Sequence, residues 1–268
     1  MMIHSKITVE NEDIFYFLEE TGKQKVLFLH GFNSSHNFIF QLKNKQNRNY
    51  DIVSFDFPGC GQSTNNNEIN VKNYQKIAAS FIKKLNLNIQ IVIGHSLGGA
   101  IALYVLNKNL AKKAILVAPL NPFILEKNSQ IEVEKLGNWL LPQDIVSAKD
   151  SLEHLVFKDK FSYKKNLEKN AINFFENVTK KREIFRKIVF EEILNFDWLK
   201  TELLPLYQQN NNYFLIAGVE DNFVPLESVQ KISENFNKNL IKFEETGHAV
   251  FFEKSDEINT QIEKILEI

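Results

Sequence analysis

The stretch IQIVIGHSLGGAIALYV, Ile89 to Val105, is an apolar run broken by one Gln, then the corner Gly94-His95-Ser96-Leu97-Gly98-Gly99, then a second apolar run. It reads as a buried strand that turns sharply into a buried helix. A side chain at such a corner is pushed out above the sheet, on a backbone strained enough to exclude most neighbours. Gly94 and Gly98, two residues either side of Ser96, remove the Cβ atoms that would collide where strand and helix fold back. Gly99 lets the helix lie close to an adjacent strand. The turn also brings the first N–H groups of a helix, orphan donors with partial positive charge, beside the serine oxygen. A five-residue G-x-S-x-G pattern also arises by chance, so the rest of the chain has to decide what the serine does.

Upstream, SKITVENEDIFYFLEE reads as two short strands joined by a turn at ENED, KVLFLHG (Lys25–Gly31) as a strand, and DIVSFDFPGCGQS (Asp51–Ser63) as a strand ending in a Gly/Pro turn. A helical stretch around Phe38 to Leu42 separates the latter two. Val71, Tyr74, Ile77, Ala78, Phe81 and Leu85 recur at helical spacing. Downstream, KAILVAPL, YFLIAG (Tyr213–Gly218) and LIKFEE (Leu240–Glu245) are further strands, with helices carrying Val229, Ile232 and Phe236 and then Ile258, Ile262, Ile265 and Leu266. Alternating apolar strands and helices predict an α/β fold with a mostly parallel central sheet covered on both faces. From Leu120 to about Leu204 the alternation stops and only helical periodicity remains, which predicts an inserted all-helical segment.

The chain has 268 residues, 44% of them hydrophobic, enough for a large core in one domain with an insertion. With 32 basic against 33 acidic residues scattered along the chain, it has no electrostatic footprint for nucleic acid or an anionic membrane. A small or neutral partner is expected. The single Cys60 gives no disulfide framework and fits a reducing compartment; in its Gly-rich turn it is read as inert. The N-terminus shows no basic segment followed by an apolar one, and no run of about 18 apolar residues follows, so a cytoplasmic protein without membrane insertion is expected. Frequent Lys, Asn, Ile and Phe suggest A- and T-rich codons, so Asn-rich loops are given little weight.

Three features assign chemistry to Ser96. In LHGF (Leu29–Phe32), Gly31 permits a turn after which the N–H of Phe32 can point back towards Ser96. With the N–H of Leu97 it would form an oxyanion hole, in which one donor is typically worth about 10²–10³ in rate. In AGVEDNFVP, an acid, Glu220 or Asp221, follows a strand that ends at Gly218. In ETGHAVFFEKSDEIN, His248 follows Gly247 just after the last strand. A serine hydroxyl is a weak nucleophile at neutral pH, and an imidazole is the side chain suited to take its proton and return it. A carboxylate fixes the imidazole tautomer and stabilises the cation that forms.

These residues resemble the α/β-hydrolase family. HGF, FDFPGCGQS, GHSLGG, GVEDNFVP and GHAVFFEKSDEI each resemble a family block, in the family's order, over roughly residues 10 to 120 and 205 to 268. The resemblance implies Ser96 as nucleophile, His248 as base, Asp221 as acid, and backbone donors at Phe32 and Leu97. Asp221 is preferred to Glu220 because the family's acid lies three residues after the glycine, here Gly218, and four before the proline, here Pro225. The same resemblance implies a hydrolase core of residues 1–120 and 205–268 and a helical cap of residues 121–204. Where relatives often have Glu-x-Pro after the histidine, this chain has Glu253-Lys254-Ser255, a departure expected to touch the final helix rather than the chemistry.

Among the other candidates, His30 and His95 are read as hydrogen-bonded supports of their turns, His4, His36 and His154 as surface residues, and Asp56 as a loop-stabilising acid. No His/acid pair has metal-ligand spacing, so neither metal nor cofactor is expected. Of Phe123, Trp139, Leu140, Leu141, Phe157, Phe161, Phe174, Phe175, Phe196 and Trp198, most are expected in the insertion's own core and two or three over Ser96. The leading expectation is a cofactor-free serine hydrolase, carboxylesterase- or lipase-like, that cleaves short- to medium-chain or aromatic esters through an acyl-enzyme. A prolyl-type aminopeptidase, with Glu191-Glu192 as a weak candidate pair for a substrate ammonium, a carbon–carbon bond hydrolase, and a ligand-binding protein on a hydrolase scaffold are the alternatives. Oligomeric state is not legible.

Overall fold

The computed structural model describes residues 1–157 and 165–268. Strands β1 (Met2–Val9) and β2 (Glu12–Glu19) form an antiparallel hairpin whose two loop residues, Glu10 and Asn11, both have left-handed φ, at 51° and 67°. That is the backbone a two-residue hairpin loop requires if it is to follow the strand twist. Then come β3 (Gln24–Leu29), α1 (Phe40–Lys43), β4 (Tyr50–Phe55), α2 (Val71–Lys84), β5 (Ile89–His95), α3 (Gly98–Asn107) and β6 (Ala111–Val117). After β6 the described chain is helix and turn: α4 (Gln130–Leu140), α5 (Ile145–Leu155), α6 (Leu167–Lys187), two π-helical turns at Ile188–Ile193 and Leu199–Leu203, and α7 (Leu204–Gln209). It ends with β7 (Tyr213–Gly218), α8 (Leu226–Phe236), β8 (Leu240–Phe243), α9 (Val250–Glu253) and α10 (Ser255–Glu267).

The eight strands lie in the order β1-β2-β4-β3-β5-β6-β7-β8. Only β1–β2 and β2–β4 pair antiparallel; β4 to β8 are parallel, as the apolar, non-alternating runs predict. Strand residues nevertheless sort by parity into two cores. Leu27 and Leu29, Val92, Leu116 and Leu215 face a layer built on α2, α3 and α8, while Val26 and Phe28, Ile91 and Ile93, Ile115 and Val117 face α1, α9 and α10. Chain order reverses on either side of β3, which lies between β4 and β5, and loops beyond the carboxyl ends of strands at such a reversal are where open α/β sheets place ligands.

Asparagine carries more of the fold than its abundance suggested. Among the described residues, six of the ten non-glycine positions with positive φ are Asn, including Asn33, Asn86 and Asn237, each in a turn. Its short amide tolerates the left-handed region. No helix among the described residues is long and apolar enough to cross a membrane.

Candidate active site

Ser96 stands at the end of β5 with φ +51°, a strained value for a residue with a side chain. The strain is held from both sides. Its N–H donates to Val117 O at 3.0 Å, and its carbonyl accepts from Gly99 N at 2.9 Å and Leu120 N at 3.0 Å. A Cβ built on Gly94 would fall 2.4 Å from Gly98 O, and one on Gly98 would fall 2.3 Å from Leu29 O. The two glycines are therefore required by contact, as the sequence implies.

Asp221, in the loop after β7, and His248, after β8, meet at 2.8 Å between Oδ2 and Nδ1. The other carboxylate oxygen of Asp221 accepts from Phe223 N at 2.8 Å and Val224 N at 2.9 Å, so it is oriented by the start of its own turn. Glu220 is turned elsewhere and accepts from Thr246 N at 2.8 Å. The ring of Phe223 stacks on His248 with centroids 5.1 Å apart. Ser96 and His248 line one cavity of about 240 Å³.

His30 and His95 support the site as neutral rings. His30 Nδ1 lies 2.7 Å from Gly31 O, and its Nε2 accepts from Phe57 N at 3.0 Å, so Nδ1 carries the proton. Burial pushes its pKa down to about 4. Gly31 O and Phe32 N–H belong to one trans peptide, so a carbonyl held towards His30 turns that N–H the opposite way. His95 Nε2 lies 2.9 Å from His248 O and donates to it, which leaves Nδ1 a buried acceptor without a hydrogen-bond partner among the described residues. Burial holds this ring's pKa well below the ordinary histidine value. Phe38 stacks on it at 4.7 Å.

Two surface readings need correction. His36 donates both its backbone N–H and a ring N–H to the buried Asp56, at 2.7 and 2.8 Å, so the loop after β3 satisfies a carboxylate that is out of reach of water. His154 stacks on Trp139 at 4.6 Å. Asp56 also accepts from Gln62 N at 2.9 Å and so braces both loops. Cys60 is buried, and burial pushes its thiol up to about 12.

Glu253 touches the site more closely than the sequence suggested. Its carboxylate accepts from Gly247 N at 2.9 Å and Phe157 N at 2.8 Å, and Ala249 N donates to Leu155 O at 2.9 Å. The end of α5 is thereby clasped to the loop of His248. The contacts to Phe157 and Leu155 join residues about a hundred positions apart, which periodicity does not register.

Of the large residues between β6 and β7, Trp139, Leu140 and Phe174 line the Ser96 cavity, joined by Leu152 and Leu155. Phe123, Leu141 and Trp139 are buried, whereas Phe196 is 49% exposed rather than part of a core. Phe161 lies outside the described residues. Glu192 lines a separate groove of about 900 Å³ beside the start of α2, where it accepts from Val71 N at 2.8 Å. Among the described residues, no carboxylate lines the cavity at Ser96.

A sequence model of the alpha/beta hydrolase fold matches residues 25–255. The chain belongs to the α/β-hydrolase family. This α/β hydrolase is 30% identical over 261 residues, covering 93% of this chain and 91% of the relative, to a Mycoplasma genitalium protein that carries an esterase/lipase name. An esterase from Exiguobacterium antarcticum superposes with a TM-score of 0.79 at 20% identity, over 99% of this chain and all of that one. A 2-hydroxy-6-oxo-6-phenylhexa-2,4-dienoate hydrolase from a Rhodococcus strain does so with a TM-score of 0.76 at 15% identity, over 100% and 99%. The α/β hydrolase described here is an enzyme of the esterase/lipase type.

Proposed function

We propose that this hydrolase cleaves carboxylic esters through an acyl-enzyme on Ser96, with His248 as general base and acid, Asp221 as its orienting carboxylate, and the N–H groups of Phe32 and Leu97 as the oxyanion hole. The observation that carries the reading is the 2.8 Å contact of Asp221 Oδ2 with His248 Nδ1, on the wall of the cavity that contains Ser96. The carboxylate keeps the proton on Nδ1, so Nε2 is the basic nitrogen.

Ser96 Oγ attacks the ester carbonyl carbon while Nε2 takes the hydroxyl proton. The oxyanion that forms is met by two backbone donors. Collapse breaks the bond to the alcohol oxygen, which leaves with the proton from Nε2. A water molecule then gives a proton to Nε2, attacks the acyl carbon, and the acid departs as Ser96 recovers its proton.

In this reading residues 121–204 form a cap over a core of residues 1–120 and 205–268. The five residues that this segment lends to the cavity support it, as does its clasp on the His248 loop. A lining rich in Trp, Leu and Phe with a volume of about 240 Å³ suits one short or medium apolar limb of an ester. Among the described residues a substrate ammonium would meet no carboxylate there, and Glu192 lines a separate groove. The test is reaction with a fluorophosphonate followed by peptide mass spectrometry. The expected adduct is on Ser96; labelling at another residue, or none in the native protein, counts against the assignment.

A further inference from the structure

The cavity at Ser96 does not end at its apolar lining. A second cleft, of about 410 Å³, adjoins it and shares Asn33, Ser34, Phe38 and Phe174 with it, so that one rim serves both. The chemistry changes across that rim. Beyond it the added residues are Ser35, Asn37, Gly61, Asn177 and Lys181.

Helix α6 sets this change through its spacing. Phe174, Asn177 and Lys181 are separated by three and four residues and so lie along one face. The stripe runs from the wall shared by both cavities to the polar cleft alone. The next residue fixes the helix: Arg182 donates to Leu141 O at 3.0 Å and also to Pro142 O. Facing the stripe is the loop after β3, where Asn33 holds a left-handed φ of 46°.

Lys181 forms no ion pair with any described residue, unlike Lys187, Lys200 and Lys231, which pair with Glu68 and Glu126. Its ammonium lies 5.9 Å over the ring of Phe185, and that ring meets the ring of Phe32 at 5.0 Å. The charge is thus held beside the loop that contains the proposed oxyanion donor. Asp56, behind Gly61, makes no ion pair with it and gives its two oxygens to His36 and Gln62. Asn33, Ser34 and Asn177 line the cleft and make no side-chain hydrogen bond to other described residues.

We infer that this outer cleft is a second substrate subsite, which seats a hydroxyl-bearing limb with one anionic group against Lys181 while the other, apolar limb fills the inner cavity. The substrate class is then an amphiphilic ester rather than a wholly apolar one. This rests on the ester-hydrolase reading of Ser96. The amide and hydroxyl groups exchange hydrogen bonds with the limb's hydroxyls, and the ammonium meets the phosphate or carboxylate oxygens.

The experiment measures the kcat/KM ratio between a charged ester and its uncharged counterpart, in the native protein and in Lys181→Glu and Lys181→Gln. One pair is 1-butyrylglycerol 3-phosphate against 1-butyrylglycerol, with the anion on the alcohol limb. The other is mono-p-nitrophenyl glutarate against p-nitrophenyl butyrate, with the anion on the acyl limb. The ratio is expected to fall about fivefold or more in Lys181→Glu, and less in Lys181→Gln, for the pair that carries the anion on the seated limb. Ratios unchanged in both pairs overturn the subsite. Binding of sn-glycerol 3-phosphate and of glutarate to the Ser96→Ala protein, with and without Lys181→Glu, reads the subsite without turnover. A native protein that binds either anion through Lys181 yet cleaves no ester would refute the esterase reading and leave the subsite standing; equal binding of both anions with and without the lysine would refute the subsite.

Discussion

His95 Nε2 lies 2.9 Å from the carbonyl oxygen of His248, so the residue before the candidate nucleophile holds the backbone of the candidate base. The bond needs a donor at Nε2, and the low pKa that burial imposes on the ring supplies it as a neutral tautomer. His95→Gln can place an amide N–H near the Nε2 position, whereas the shorter Asn reaches only as far as Nδ1. We expect His95→Asn to lower kcat about three- to tenfold with KM little changed, the cost of one neutral hydrogen bond, and His95→Gln to recover most of it. Equal losses in both variants would mean that His95 merely fills space.

Asp221 and Glu220 are neighbours with separate duties. Asp221→Asn leaves an amide that can hold His248 in the wrong tautomer and is expected to lower kcat about 10³–10⁴-fold with an unchanged far-ultraviolet spectrum. Glu220→Gln loosens only the bond to Thr246 N and is expected to cost less than tenfold. Steady-state kinetics of the two variants side by side check the assignment.

The turn at Ser96 tolerates no added methyl. In Gly98→Ala the new Cβ would sit 2.3 Å from Leu29 O, a backbone atom that cannot swing aside. Overpacking of this kind costs about 1–3 kcal/mol or more, and it also displaces Leu97 N–H. Thermal denaturation should show a lower melting temperature, and esterase activity should fall further than stability does.

Glu192 makes the fold pH-sensitive away from the active site. Burial pushes its carboxyl up to about 7 although its oxygen accepts from Val71 N at the start of α2. The ordinary value is 4.5, so between pH 4.5 and about 7 the folded state holds a proton that the unfolded state has lost. Its contribution is therefore present in full below pH 4.5 and is lost as pH rises through about 7. Glu192→Gln keeps an acceptor for Val71 N and removes the titration. The variant's melting temperature relative to the native protein should rise with pH across that window and level off above it; a difference that does not vary with pH would contradict the assignment.

Much of the site could be read from the chain because each part sits where an apolar strand stops. Ser96, Asp221 and His248 follow β5, β7 and β8, and the parallel sheet brings those ends to one edge. The partners of the supports were hidden because they lie on distant segments. His95 meets His248 across 153 positions, and Glu253 ties Gly247 to Phe157. Trp139 shows why cavity walls escape periodicity. It is 5% exposed, packs in the main core and still lines the cavity, so one apolar stripe serves both purposes. The π-helical turns at Ile188–Ile193 and Leu199–Leu203 depart from the 3.6-residue spacing on which helix reading depends.

The central claim is that Ser96 is the nucleophile of an esterase. Hydrolysis of p-nitrophenyl esters from acetate to palmitate, by the native protein and by Ser96→Ala, tests it most directly. The account predicts turnover of short and medium chains by the native protein, a decline at long chains set by the inner cavity, and loss of turnover in Ser96→Ala. Full activity in that variant, or no cleavage of any ester by the native protein, would contradict it.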